Sequence, residues 1–191
     1  GYSGLLSLQG GITALETAAS MGSAGLTIDT AELALGVDLS MTAAQAFSVT
    51  GDAIVGSDDG RSLVLDSTVT SAAGNSLTLR NLQTSFGGNG AGILGGLTVD
   101  DGTFTMNGKA IGSDVTVKNG AIFDATGSIS GNLAVSSSVL LASGGNSIAP
   151  GTLNVSGNLT MDAGSVYAPN VFLSPSGVPD QRQSDRVNVT G

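Results

Sequence analysis

The chain has 191 residues, of which 30 are glycine, 11% are charged and 4% are aromatic, and its formal net charge is −9. This length suits one ordinary domain, and six scattered basic residues argue against nucleic acid and anionic lipid as partners. Because histidine and cysteine are absent, the chain cannot form a Ser-His-Asp or Cys-His catalytic arrangement.

Residues 1–25 form the first predicted segment and show no clear strand pattern. Within them, "ITALETAAS" is compatible with a short helix or with a loop beside the first repeating unit. We therefore expect residues 1–25 to be an irregular or short-helical start.

Residues 26–167 carry a repeating pattern. Four segments each open with two apolar residues two positions apart, and their starts are separated by 18, 18 and 20 residues. A turn position, a further apolar anchor and a second glycine follow each start. These four segments begin at Leu97, Val115, Leu133 and Leu153. Weaker starts precede them at Leu26, Phe47, Leu63 and Leu77.

A two-residue period places alternate side chains on opposite faces of a strand, and short strands between glycine turns cannot bury an apolar face alone. Stacked units can enclose one continuous core. The pattern predicts an all-β, right-handed parallel β-helix of about eight or nine rungs, with three short strands in each rung. Neither a β-sandwich nor a left-handed hexapeptide β-helix would show the 18–20-residue interval. The expected core ladders are Leu97, Val99, Phe104, Val115, Val117, Ile122, Leu133, Val135 and Leu140.

Residues 168–191 form the last predicted segment. Val171–Leu173 has the character of a final strand, and the proline-containing sequence after it is expected to be an exposed loop that leaves the rod. The terminal "RVNVTG" repeats the two-residue apolar spacing at Val187 and Val189, which predicts a strand of the last rung.

Few residues have the character of a chemical site. The carboxylate pairs Asp58/Asp59 and Asp100/Asp101 each adjoin a glycine and are interpreted as solvated turns, with Asp101 placed to pair with Lys118 across neighbouring strands. No EF-hand spacing supports a calcium ion at either pair. The glycine-rich segment Gly87–Gly92 lacks the Lys-Ser/Thr of a phosphate-binding loop and is expected to be a flexible corner. We therefore expect no catalytic residue, no cofactor and no bound metal.

The segment "GNSIAPGTLNVSGNLTMDAGSVY…SDRVNVTG" resembles the passenger region of monomeric autotransporters, the type V secretion proteins of Gram-negative bacteria. That family has a segment much like N-S-I-x-P-G-T-L-x-V-x-G-N-L-T, followed by G-S and S-D-x-x-x-V-x-G. This close match covers about a quarter of the chain. The matching residues are Asn146, Ser147, Ile148, Pro150, Gly151, Thr152, Leu153, Val155, Gly157, Asn158, Leu159, Thr160, Gly164, Ser165, Ser184, Asp185, Val189 and Gly191.

The resemblance implies a bacterial protein of the cell surface, exported through the periplasm and outer membrane, that lacks cysteine. It implies membrane attachment only through a C-terminal barrel that this chain does not include. The expected function is that of an adhesin segment that mediates or displays attachment to host cells or matrix. Two alternatives remain open: a non-binding stalk and folding scaffold for an upstream enzyme or toxin domain, and a module for self-association between bacteria.

Overall fold

The computed structural model describes residues 4–17, 24–144, 150–173 and 179–191. These residues form an all-β structure without a helix, and parallel strands stack as a β-solenoid of about six turns. No helical segment within the described ranges is long and apolar enough to cross a membrane.

The strands are short in most of the chain, although β10, β12 and β14 are longer because they continue around a corner. In chain order they are β1 (Leu6–Gln9), β2 (Ile12–Leu15), β3 (Leu26–Asp29), β4 (Glu32–Leu35), β5 (Leu39–Met41), β6 (Ala46–Val49), β7 (Ala53–Gly56), β8 (Ser62–Leu65), β9 (Thr68–Ser71), β10 (Leu77–Phe86), β11 (Asn89–Ile93), β12 (Leu97–Ile111), β13 (Val115–Lys118), β14 (Ile122–Ile129), β15 (Leu133–Val135), β16 (Val139–Leu141), β17 (Thr152–Val155), β18 (Leu159–Met161), β19 (Val166–Tyr167), β20 (Val171–Leu173), β21 (Pro179–Ser184) and β22 (Arg186–Val189).

Strands of successive turns pair in parallel, so the same position of each turn forms a ladder. Along β1, β3 and β6, for example, Leu6 pairs with Leu26 and Leu26 pairs with Phe47. Alternate residues of these strands point inward, and the inward residues of all turns form one continuous core. The alternation of apolar residues in the sequence therefore follows the alternation of inward and outward side chains.

Leu97, Val115 and Leu133 occupy equivalent positions of consecutive turns, because Leu97 pairs with Val115 and Val115 pairs with Leu133. Leu153 does not continue this ladder, and its predicted place as the fourth equivalent start is wrong. Leu133 pairs instead with Leu159, whereas Leu153 pairs with Gly127. The chain between β16 and β17 is longer than in earlier turns, so counting a constant interval from Leu133 leads to the wrong strand.

The predicted core ladders are buried with one exception. Ile122 is 37% exposed and is paired with the outward residues Thr103 and Val139, so its assignment to the core is wrong. Phe123 takes the inward place, where it pairs with Phe104 and Leu140. Both Ile122 and Phe123 are apolar, and the pleat can turn only one of two consecutive residues inward. The buried members of the predicted set are Leu97, Val99, Phe104, Val115, Val117, Leu133, Val135 and Leu140.

The start of the chain is more regular than predicted. Leu6–Gln9 and Ile12–Leu15 are strands, so the expected irregular or short-helical start is wrong for the described part of residues 1–25. Ile12–Leu15 pairs residue for residue with Glu32–Leu35. Pairing with an existing edge supplies backbone hydrogen bonds that a short isolated helix could not match, which overrides the helical character of "TALETA".

The end of the chain leaves the solenoid and returns to it. Val171–Leu173 is a strand, and it pairs antiparallel with Pro179–Ser184 in a separate two-stranded sheet. We call this two-stranded sheet the arm. The tip of the predicted exposed loop, residues 174–178, lies outside the described residues. After the arm, Arg186–Val189 pairs in parallel with Thr152–Val155, which places Val187 beside Leu153 and Val189 beside Val155.

Candidate functional site

One groove opens on the outward side of the early turns and is our candidate site. It has a volume of about 620 Å³ and lies beside β2, β4 and β7, next to the corner that follows β7. Its lining combines small residues at the base with charged residues at the rim. The lining residues are Ile12, Glu16, Glu32, Ala34, Leu35, Gly36, Gly56, Ser57, Asp58, Asp59 and Arg80.

The groove exists because one outward ladder begins with small residues. Ala34 pairs with Gly56, and Gly56 pairs with Arg80, so two turns without a large side chain are followed by a turn with a long one. Further along the same ladder, Arg80 pairs with Asp100 and Asp100 pairs with Lys118. The ladder therefore carries long side chains from Arg80 onward but only small ones at Ala34 and Gly56.

Arg80 and Glu32 form one wall of the groove. The guanidinium of Arg80 donates a hydrogen bond to Oε1 of Glu32, forming a salt bridge across two turns. The Arg80 side chain lies over Gly56, where an added Cβ would be 3.3 Å from Nε and Nη2. Since the Glu32 side chain is only 16% exposed and that of Arg80 40%, the pair is partly shielded from solvent. Partial shielding makes this ion pair stronger than a fully solvated one.

The opposite rim is a braced corner. The Ser57 hydroxyl accepts hydrogen bonds from the backbone N–H groups of Asp59, at 3.1 Å, and Arg61, at 3.3 Å. From the next turn, the Asn81 side-chain amide donates to the carbonyl oxygens of Ser57, at 2.9 Å, and Asp58, at 3.2 Å. These contacts hold the carboxylates of Asp58 and Asp59 at the groove edge in a defined corner.

The groove is negatively charged. Four carboxylates line it, those of Glu16, Glu32, Asp58 and Asp59, against one guanidinium from Arg80. Asp59 forms a salt bridge with Arg61 at 3.1 Å, whereas the Glu16 and Asp58 carboxylates have no hydrogen-bonding or ionic partner within the described part of the chain. Such a surface is complementary to an ammonium or guanidinium group rather than to an anion.

The sequence singled out Asp58 and Asp59 only as a solvated turn. It gave no indication that they share a groove with Glu16, Glu32 and Arg80, because these residues are far apart in the chain and only the pairing of turns brings them together. Among the described residues, no three histidine, cysteine or acidic side chains are grouped so that they could hold a metal ion.

The second carboxylate pair, Asp100 and Asp101, lies outside the groove. The predicted partner of Lys118 was Asp101, but Lys118 pairs in register with Asp100, and its Nζ lies 3.3 Å from Asp100 Oδ2. Asp101 has a φ of 64° and starts the following corner, where its Oδ1 accepts the N–H of Gly102 at 2.7 Å. The left-handed backbone therefore turns the Asp101 side chain away from the ladder that holds Lys118.

The glycine-rich segment is only partly a corner. Gly87 and Gly88 turn the chain, and a Cβ at Gly88 would overlap the carbonyl oxygen of Ser67. Asn89–Ile93 continues as a strand that pairs with Thr68–Ser71, so the prediction of a flexible corner over all of Gly87–Gly92 is wrong. Glycine is required here because two turns approach closely.

The autotransporter-like segment can be followed in the structure from Pro150 onward, and most of its apolar residues are at least partly buried. Asn146, Ser147 and Ile148 lie outside the described residues, and Pro150 directly precedes the buried Gly151. Leu153 and Val155 are fully buried, Gly157 and Leu159 are partly buried, and Val189 is 43% exposed. Gly164 has a φ of 89° and lies within the turn that the Ser165 N–H closes onto the Asp162 carbonyl. Asp185 is 3% exposed.

Two buried carboxylates were not recognised as such in the sequence. Asp124 accepts hydrogen bonds from the backbone N–H groups of Ser143, at 3.0 Å, and Gly144, at 2.7 Å, as well as from the Ser143 hydroxyl. Asp185 accepts the N–H of Gly151 at 2.7 Å and that of Asn170 at 3.0 Å. Burial, with a smaller contribution from the charge of Asp185, raises the pKa of the Tyr167 hydroxyl above its ordinary value.

Both carboxylates hold corners of the chain, which is a structural task. The groove, by contrast, combines unpaired carboxylates with an open volume. Comparison of the chain with protein-family models, with curated proteins and with solved structures gives no match.

Proposed function

We propose that this chain is a passenger segment of an autotransporter adhesin, displayed at the bacterial surface, and that it acts by binding rather than by catalysis. The proposal rests on the parallel β-solenoid together with the autotransporter-like segment around Gly151–Val155. A stacked solenoid is a rigid, elongated scaffold that holds outward side chains at regular spacing. Such a scaffold suits the presentation of a binding surface to host cells or matrix.

We also propose that the rod has about eight or nine rungs of three strands each. In support, the strands outside the continuous stretch 24–144 pair with it in the same parallel manner. Leu6–Gln9 and Ile12–Leu15 extend it on one side through Leu26–Asp29 and Glu32–Leu35. On the other side, Thr152–Val155 pairs with Ser128 and its neighbours and then with Arg186–Val189.

The observation that carries the attachment function is the groove beside Arg80 and Glu32. Its base of small residues leaves room for a side chain of a partner, and its rim carries unpaired carboxylates. A host ligand with exposed lysine or arginine side chains would be complementary to this surface. The proposed contact is therefore electrostatic and should weaken as ionic strength rises.

The test is binding of the purified chain to immobilised host-matrix proteins and to cultured host cells, measured by surface plasmon resonance and by flow cytometry. We expect saturable binding that is lost in the double variant Glu16→Gln/Asp58→Asn. The matched control is Asp101→Asn/Asp162→Asn, which removes the same charge from exposed positions elsewhere and should bind like the unmodified chain.

Two other results would contradict the proposal in different ways. A folded chain that binds nothing would make the segment a stalk or folding scaffold for an upstream domain. Concentration-dependent dimers in sedimentation velocity, without binding to host material, would favour self-association between bacteria. Equal loss of binding in both double variants would show a general effect of net charge and would remove the groove from the proposal.

A further inference from the structure

The chain leaves the solenoid after Val166–Tyr167 and re-enters it at Arg186–Val189. Between these strands stands the arm, which makes no strand pairing with the solenoid among the described residues. The returning strand pairs only with Thr152–Val155 in that same set. Within the described residues, the returning strand is therefore paired along one edge only, and the contacts at the point of return join it and the arm to the rod.

Asp185 lies at this point of return and links three separate segments. Its Oδ1 accepts the N–H of Gly151, which directly precedes the strand that the returning chain joins, at 2.7 Å. Its Oδ2 accepts the N–H of Asn170, which directly precedes the arm, at 3.0 Å. One carboxylate thus joins the rod, the base of the arm and the returning strand.

Three further hydrogen bonds hold the backbone at Asp185 and Arg186. The Asp185 N–H donates to the Asn170 carbonyl at 3.0 Å, and the Arg186 N–H donates to the Gly151 carbonyl at 3.1 Å. The Tyr167 hydroxyl donates to the Asp185 carbonyl at 3.1 Å. Asp185 is left 3% exposed. A buried carboxylate is costly unless hydrogen-bond donors satisfy it, as the N–H groups of Gly151 and Asn170 do here. The contacts of Asp185 are therefore expected to form and break together.

The position of Gly151 reinforces this arrangement. A Cβ there would overlap the carbonyl oxygen of Ala142, so the backbone is pressed against the end of Val139–Leu141 while its N–H faces Asp185. Because each turn of a solenoid is stabilised mainly by its neighbours, breaking a contact at this level need not unfold earlier turns.

We propose that Asp185 is a clasp that closes the arm onto the rod, and that opening it releases the arm and the returning strand as one unit while the solenoid of residues 24–144 stays folded. Opening exposes the hydrogen-bonding edge of Thr152–Val155, which the returning strand otherwise covers. The protein thus has two states at Asp185. In the closed state the arm and the returning strand are attached to the rod, and in the open state the arm is free and the edge of Thr152–Val155 is exposed.

The experiment is hydrogen–deuterium exchange by mass spectrometry on the full chain, comparing the unmodified protein with Asp185→Asn. The amide group keeps one acceptor oxygen but sets an NH₂ group against a backbone N–H, so one of the two bonds is replaced by repulsion. Loss of a charge-assisted bond predicts exchange at least about tenfold faster in peptides covering 152–155 and 186–189. Peptides covering 97–135 should be unchanged.

Asp162→Asn is the matched control, because Asp162 is an exposed carboxylate in a neighbouring corner. It should leave exchange unchanged everywhere.

Limited trypsin digestion gives an independent readout, since Arg182 and Arg186 flank the clasp. Cleavage at these two residues should be faster in Asp185→Asn, whereas cleavage at Lys118 should not change. Unchanged exchange at 186–189 in Asp185→Asn would overturn the proposal. Faster exchange spread evenly over the whole chain would also overturn it, because the joint would then not be separable from the rod.

Discussion

The ring of Phe104 stacks on the ring of Phe123 from the following turn, with centroids 5.2 Å apart and ring planes 8° apart. On the other side, Phe86 stacks on Phe104 with centroids 5.6 Å apart. The three rings form a stacked column, although only Phe104 and Phe123 are paired in register, since Phe86 pairs with Met106. Phe104 and Phe123 have no exposed surface. This column buries three aromatic rings against one another in a core made mostly of aliphatic residues.

Phe104→Ala should destabilise the solenoid strongly. The substitution removes the central ring of the column and leaves a cavity, and such changes in packed cores cost about 3–5 kcal/mol. Urea denaturation followed by circular dichroism would measure the change in free energy of unfolding.

Ile122→Ala is the matched comparison for Phe104→Ala. Because Ile122 points outward, its truncation should cost well under about 1 kcal/mol. If Ile122→Ala proved as damaging as Phe104→Ala, the register of Ile122–Ile129 against Leu97–Ile111 and Val139–Leu141 would have to be revised.

Gly88→Ala should prevent the close approach of two turns. The new methyl group would overlap the carbonyl oxygen of Ser67, a backbone atom that cannot turn aside. We expect a loss of at least about 1–3 kcal/mol in the free energy of unfolding, typical of overpacked sites. Gly4→Ala, where no atom lies within 4 Å of the added Cβ, serves as the control and should be neutral. Equal stability of both variants would contradict the predicted contact.

The salt bridge between Arg80 and Glu32 should show a measurable coupling energy. In a double-mutant cycle with Arg80→Gln and Glu32→Gln, we expect a coupling of about 0.5–1 kcal/mol at low salt, the upper range for partly exposed pairs. The coupling should fall when salt is raised, since the Debye length shortens to about 3 Å at 1 M. A coupling of zero at low salt would mean that the pair does not stabilise the groove wall.

Asp52 makes the folding stability of the chain depend on pH in the acidic range. Hydrogen bonds from the Ser76 backbone N–H, at 2.8 Å, and from the Ser76 hydroxyl, at 2.9 Å, lower the pKa of the Asp52 carboxyl, against a small opposing effect of burial. Its contribution to stability is therefore complete above the unfolded-state pKa and is lost as pH falls through the lower folded-state pKa.

An NMR titration of the Asp52 carboxyl carbon would measure this shift. In Ser76→Ala the hydroxyl is gone but the backbone N–H remains, so the pKa should rise only part of the way towards its ordinary value. A complete return to the ordinary value in Ser76→Ala would show that the backbone hydrogen bond contributes nothing, contrary to its place as the larger cause.

Several features of the fold could be predicted from local pattern. The spacing of Leu97, Val115 and Leu133 gave the correct equivalence of three turns, and the pairing of apolar residues at Val187 and Val189 indicated the returning strand. These predictions work because a strand with one buried face must alternate every two residues, whatever its partner.

Two of the wrong predictions share one cause. Ile122 and Phe123 are neighbours of equal apolar character, and Leu153 and Leu159 both fit the start of a turn, so the pattern allowed two registers in each case. The groove could not be predicted from the pattern. Glu32 and Arg80 belong to strands two turns apart, and both strands pair with Ala53–Gly56 of the turn between them.

The sequence by itself determined the class of the fold, the alternation of inward and outward residues and the absence of histidine and cysteine chemistry. Only the tertiary structure decided which residues of different turns lie side by side: Asp100 rather than Asp101 beside Lys118, Phe123 rather than Ile122 in the core, and Asp185 against Gly151. The physical reason is that alternation is a property of one strand, whereas register depends on the length and conformation of every corner between strands.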